Sequence, residues 1–279
     1  VTNWSEYHRS LVNRGKPGLY SETAIQTCLT IKALFHLPYR ATEGLMKSLM
    51  RLSQLDLPVP DHTHMSRRAG EISVQIPRRP RKGPTHVVVD STGLKIFGEG
   101  EWKVRQHGVG KRRTWRKIHL AVDETTKDII GIEVTTADWG DSEVFPGLLD
   151  QVEGEVSQVS ADGAYDTKGC HAAIADRDAR ATIPPRDGAV PWGDDHPRDG
   201  ILKEIAAKGS AGWKNDSDYH RRSIAENMMY RLKQLGDSLS SRTFERQVTE
   251  AHVRAAIINT FTYLGMPQSV GVGQIAPAA

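Results

Sequence analysis

The chain has 279 residues, 38% hydrophobic and 25% charged, enough for one core of ordinary size and a small satellite domain. No run approaches the roughly 20 apolar residues of a membrane span, and the opening VTNWSEYHRS lacks the apolar segment of a signal peptide, so a cytoplasmic protein is expected. The net charge of +3 hides an asymmetry: residues 1–122 carry 21 Lys and Arg against 9 Asp and Glu, whereas residues 123–279 carry 16 against 25, which suggests a polyanion-binding part joined to a part with acidic chemistry.

In chain order, residues 21–37 open with Ser21 and Glu22 placed as an N-cap and first turn, and Ile25, Leu29, Ala33 and Leu34 recur at near-helical spacing. Pro38 begins a second predicted helix that stops before Pro58 and Pro60. A third, DHTHMSRRAGEISV, starts at the cap Asp61 and carries Arg67 and Arg68. Three short helices with a basic third one fit a helix-turn-helix whose last helix enters the major groove; a plain helical bundle with solvated arginines is the alternative. Residues 1–77 are therefore expected to form a helical DNA-binding domain, followed by a basic linker at 78–84.

From residue 85 the pattern changes to strands. THVVVDSTGLKIF, RKIHLAVD and KDIIGIEVTT read as a meander, with a turn at Asp123–Thr126. Residues 141–152 read as a helix, SQVSADGAYD contains a short strand, HAAIADRDA is a helix and RATIPP a last strand. This order describes an α/β domain with a mixed sheet, spanning 85–265. The stretch 186–218 reads as an irregular insertion, a helix runs from Asp218 to about Gly236, another spans 244–263, and the tail 266–279 is expected to be disordered.

Two apolar runs end in acids. Asp90 follows Val87-Val88-Val89, and Asp162 follows the strand ending at Ala161, with Gly163 permitting close backbone approach. Either acid alone reads equally well as a turn residue, as do Asp123 and Asp166. On the helix after Asp218, Tyr219, Arg222, Glu226 and Lys233 fall within one stripe at about 100° per residue, opposite Ile224, Met228, Leu232 and Leu235. An acid between basic residues on one stripe also describes a surface salt-bridge ladder. Isolated carboxylates at the ends of core elements are what a divalent-cation site for phosphodiester chemistry needs.

The segment YHRRSIAENMMYRLK has Tyr, then Arg after two residues, Glu after three more and Lys after six, and in this it resembles the bacterial DDE transposases related to insertion-sequence-five elements. VVVDSTGLKIFGEGEWKVRQHG and SADGAYD resemble the regions around the first two catalytic aspartates of that family. The resemblance runs from about residue 20 to 268. It implies a ribonuclease-H-like catalytic core on which Asp90, Asp162 and Glu226 bind two Mg²⁺ ions, with Mn²⁺ as a substitute. It also implies that Tyr219, Arg222 and Lys233 hold the DNA backbone near the cut, and that a homodimer acts on double-stranded DNA at element ends and target. The family that the chain resembles implies a longer connection between a segment such as NWSEYHRSLVNRG and the helix at Ser21; here NRG runs directly into KPGLYSE.

The basic segment 103–117, with Lys103, Arg105, Lys111, Arg112 and Arg113, is expected to track phosphates, with Trp102 or Trp115 available to stack on a displaced base; a solvated basic loop is the alternative. Gly98 and Gly100 fall short of a dinucleotide fingerprint and no nucleotide cofactor is expected. Cys28 and Cys170, with His62, His64 and His171, lack the spacing of a zinc site and are expected to be structural. Two rivals to a transposase follow: a nuclease that stops at hydrolysis, and a transposase-derived regulator that binds DNA without cutting.

Overall fold

The computed structural model describes residues 20–96, 115–193 and 196–265. Trp102, Lys103, Arg105, Lys111, Arg112, Arg113 and the tail from 266 lie outside those residues. The chain divides into two compact units. One comprises the residues up to Gln75 together with Ser241–Val253, and the other Ile76–Ser240 together with the residues from Arg254 onward.

The first unit holds helices α1 (Glu22–Leu34), α2 (Tyr39–Leu52) and α3 (His62–Arg68). Their starts follow the sequence signals. Ser21 accepts a hydrogen bond from the Ala24 N–H, Pro38 precedes α2, and the Asp61 carboxylate accepts from the Thr63 and His64 N–H groups. The third helix is half as long as expected, ending at Ala69 and Gly70, where glycine is a poor continuation. Cys28, Met46 and Met65 form the core of the unit, with Ile31, Tyr39, Leu49, Met50 and Val59 packed around them.

The second unit is built on a mixed sheet. Strands β1 (Thr85–Ile96), β2 (Trp115–Asp123) and β3 (Ile129–Thr136) form the expected antiparallel meander. Strands β4 (Val156–Ser160) and β5 (Arg180–Thr182) add in parallel on the other side of β1, giving the order β3-β2-β1-β4-β5. Helices α4 (Asp141–Asp150), α5 (Lys168–Ala175), α6 (Pro197–Asp216) and α7 (Ser223–Gln234) follow, then the two-residue strand β6 (Ser238–Leu239), which pairs in parallel with the far end of β1. Helix α8 (Phe244–Leu264) contributes its first half to the first unit and its second half to this one.

The period-2 pattern of β1 assigns its two faces. Val87 and Val89 join Ala121 of β2 in a core with Phe145, Leu148 and Leu149 of α4 and Cys170 and Ile174 of α5. Val88 and Asp90 point the other way, opposite Val122 and Leu120 of β2 in the register, on the face covered by α7. Within α4, Pro146 has no N–H to give the Ser142 carbonyl, and the buried Cys170 thiol lies 3.6 Å from that oxygen. Both cysteines are free and buried, as a structural role requires.

Besides the shortened third helix, three elements of the second unit differ from the sequence expectation. The stretch 186–218 is not irregular throughout: it contains the 20-residue α6, two helical segments that meet at Gly209, whose φ of 76° favours glycine. The helix from Asp218 begins as a 3₁₀ turn, Tyr219–Arg222, before α7 proper. Strand β6 is too short for any periodicity to reveal. Among the described residues no helix is long and apolar enough to cross a membrane.

Candidate active site

Asp90 lies in the middle of β1, at the centre of the sheet, on the face beneath α7. One carboxylate oxygen accepts the Ser91 N–H at 2.8 Å and the other accepts Arg222 Nη1 at 2.9 Å. Arg222 Nη2 donates to Glu226 Oε1, one turn further along. A single guanidinium therefore joins two acids that the chain separates widely: Arg222 and Asp90 are 132 residues apart. The aromatic ring of Tyr219 lies 6.0 Å from that guanidinium and 5.6 Å from the ring of the buried Trp213, which fixes the 3₁₀ turn from below.

Asp162 stands two residues beyond the end of β4, the parallel neighbour of β1. Its Oδ1 caps the following 3₁₀ turn by accepting the Ala164 N–H at 2.8 Å. A Cβ at Gly163 would stand 3.3 Å from the Pro184 carbonyl oxygen, so the close approach expected of this glycine is real. Asp162 and Glu226 both act electrostatically on Asp90. Burial raises the Asp90 pKa, the Ser91 N–H and Arg222 oppose it, and the charges of Asp162 and Glu226 raise it further. The same three acids act on Tyr219, whose hydroxyl is held protonated first by burial, against the pull of Arg222.

The donor set suits a hard divalent cation: three carboxylates whose charge a single bonded guanidinium offsets only in part. Among the described residues no three acidic, histidine or cysteine side chains are gathered into an ion cage; Arg222 bridges Asp90 and Glu226.

The remaining expected residues are spread out. Lys233 is exposed in the last turn of α7, seven residues and so roughly 10 Å along the helix from Glu226. Trp115 starts β2 and its indole lies across Gly93, where a Cβ would be 3.3 Å from the ring. Arg67 is exposed and bonds His64, while Arg68 pairs with Glu71 at 3.6 Å; both belong to the first unit.

Sequence reasoning missed a clasp beside Asp162. Arg198 of α6 forms a two-pronged pair with Asp166 at 2.7 Å per bond, both side chains almost fully buried, and its guanidinium stacks 4.2 Å from the Trp192 ring. Burial would raise the Asp166 pKa, but Arg198 and the Arg186 N–H more than reverse it. Arg186 also donates to the Gly163 and Ala164 carbonyls, so the loop carrying Asp162 is held from two sides. Asp166 looked like one more turn residue, and nothing in its spacing announced a partner 32 residues away.

Comparison with known proteins gives two kinds of match. In the solved structures, a chain of the piggyBac transposase synaptic complex with hairpin DNA aligns at 13% identity and a TM-score of 0.41, over 64% of this chain and 47% of its own. The protein thus spans under half the length of that relative. A chain of the simian T-cell lymphotropic virus intasome in complex with PP2A regulatory subunit B56 gamma aligns at 16% identity and a TM-score of 0.27, over 90% of this chain and 78% of its own. Family models described as transposase DDE domains match residues 1–99 and residues 81–260. The second match takes in more than half of the chain, including the strand of Asp90, the loop of Asp162 and the helix of Glu226, and the chain belongs to the DDE transposases.

Proposed function

We propose that this protein is a transposase of the insertion-sequence-five group that cuts element ends and joins them to target DNA by in-line phosphoryl transfer. Asp90, Asp162 and Glu226 are its catalytic acids, on a ribonuclease-H-like core. The supporting observation is the convergence of Asp90 and Glu226 on Arg222, with Asp162 close enough to bear on Asp90 electrostatically. The order β3-β2-β1-β4-β5, antiparallel on one side of β1 and parallel on the other, supports that core.

The three acids would hold two Mg²⁺ ions, or Mn²⁺, which when bound activate the attacking oxygen and neutralise the leaving one. The protein's own groups divide the remaining work. Asp90 is held on a rigid central strand, so its carboxylate keeps its position through the reaction. Arg222 balances the acids while DNA is absent and offers a planar fork to a phosphate when DNA is bound. Tyr219 stays a neutral hydroxyl donor at ordinary pH and can bond a phosphate oxygen. Lys233, Trp115 and the basic residues Lys103, Arg105, Lys111, Arg112 and Arg113 extend the contact along the strand, and Arg67 and Arg68 belong to a helix-turn-helix that binds element ends. Two ends cut together require at least a homodimer on DNA.

The test is Mg²⁺-dependent cleavage of a duplex carrying the flanking inverted repeats, by wild type and by Asp90→Asn, Asp162→Asn and Glu226→Gln. Each variant is expected to bind the duplex in EDTA and to cut nothing. Cleavage surviving in any of them overturns the triad, and wild-type cleavage without strand-transfer products makes the protein a nuclease.

A further inference from the structure

The first unit holds a second concentration of charge, opposite in sign to the acidic site. A groove of about 580 Å³ is lined there by Tyr39, Arg40, Thr63, Ser66, Arg67 and Arg246, among others. Three elements supply its arginines: Arg40 the first turn of α2, Arg67 the last turn of α3 and Arg246 the first turn of α8. Arg246 is seated rather than loose. Its stem lies over Gly70, where a Cβ would be 3.4 Å from Arg246 Cγ.

Among the described residues none of these three guanidinium groups pairs with a carboxylate; the bond Arg67 makes goes to His64. Several acids of this unit have bonds of their own, Glu43 with His62 on the groove wall, and the charges of Glu250 and Arg246 both bear on Tyr39. Glu43 bonds Lys47 and His62, Asp61 caps α3, and Glu250 accepts the Ser241 N–H. Three like charges gathered in one concavity repel one another, and their natural counterion is a chain of anions with matching fork geometry. Hydroxyls of Tyr39, Thr63 and Ser66 beside arginines are the donor set that phosphate oxygens take.

We propose that this groove grips the phosphate backbone of duplex DNA, with Arg40, Arg67 and Arg246 as its contacts. The proposal rests on the reading of the chain as a DNA-cutting enzyme and adds a sequence-independent grip that includes a residue from the far end of the chain. Phosphate contacts fix position without reading bases, so the groove takes any duplex.

The experiment is fluorescence anisotropy with a labelled duplex of arbitrary sequence, in EDTA, across a salt series. Arg40→Ala, Arg67→Ala and Arg246→Ala should each lower the slope of log K against log salt by about 0.9, the loss of one phosphate contact. Arg246→Lys should keep the slope, and Arg51→Ala, an exposed charge on the same unit but outside the groove, should leave it unchanged. Circular dichroism melts check folding, and Arg246→Gln replaces any alanine variant that melts early. A wild-type slope in folded Arg246→Ala or Arg246→Gln overturns the proposal, as does competition by polyglutamate equal to that by DNA, which would assign the groove to an acidic protein. Cleavage is scored separately. Wild type that cuts while groove variants bind normally leaves the triad standing and the groove refuted, and altered slopes in a protein that never cuts give the reverse.

Discussion

Arg222 neutralises part of the repulsion between Asp90 and Glu226, and the two acids depend on it unequally. The Asp90 side chain is 13% exposed and that of Glu226 52%. Arg222→Ala should therefore cost about 1–3 kcal/mol, mainly through Asp90 left desolvated without its cation. Glu226→Gln should stay within about 0.5 kcal/mol in a denaturant titration, because water already solvates that carboxylate. An Arg222→Ala loss as small as that of Glu226→Gln would show that the bridge does not stabilise the fold. His119, next to Asp90's cross-strand partner, behaves differently. It is fully buried with Nε2 3.0 Å from Thr135 Oγ1, and burial pushes its pKa down to about 4, against the pull of Asp141. The unfolded chain takes up this proton near pH 6.5 and the folded one only near 4, so the stability from neutral His119 is present above 6.5 and is lost as pH falls toward 4. The loss is of order 3 kcal/mol, and His119→Gln should flatten the pH dependence in that window.

At the scale of elements, the contacts that position the site are made by groups with no catalytic task. The Arg198–Asp166 pair ties α6 to the loop after Asp162, with both side chains at most 3% exposed. Arg198→Met leaves Asp166 buried without its guanidinium partner and should cost about 3–5 kcal/mol, read from the thermal or urea midpoint. The double variant with Asp166→Leu should recover part of that loss, and no recovery would mean that the pair itself is net stabilising. Gly131 decides how closely α4 lies on the sheet: a Cβ there would stand 3.1 Å from both the Ala121 Cβ and the Leu148 carbonyl oxygen. Backbone oxygen does not yield as a side-chain tip does, so Gly131→Ala should destabilise by about 1–3 kcal/mol. A melting temperature equal to wild type would show that α4 can shift outward freely.

Across the whole molecule, the proposed catalytic acids and the arginines of the groove belong to different compact units. This predicts a double dissociation. Glu226→Gln should abolish cleavage with the DNA affinity in EDTA unchanged, whereas Arg246→Ala should weaken affinity, increasingly so at low salt, with cleavage restored by excess DNA. A groove variant that fails to cut at saturating DNA would place Arg246 in the reaction itself.

Elements with strong local causes were legible in the amino-acid order: the capped starts of α1 and α3 at Ser21 and Asp61, the β1–β2–β3 meander from three β-rich runs, and the apolar face of α7. Helix α6 was illegible because Gly, Asp and Pro around 186–200 mask its start and Gly209 breaks its period. Asp90, Asp162 and Glu226 were visible in the sequence as candidates, but Asp123 and Asp166 ended similar segments, and the fold gives these two partners that no spacing announces. Asp123 Oδ1 binds the N–H groups of Thr125 and Thr126 while Oδ2 pairs with Arg81, and Asp166 is closed off by Arg198. Asp90 faces α7, and one guanidinium of the turn before that helix reaches it across 132 residues of chain. The physical reason is range: capping and periodicity act over a turn or a strand, whereas the meeting of charges distant in the chain is set by the packing of the sheet and its helices, which no local pattern encodes.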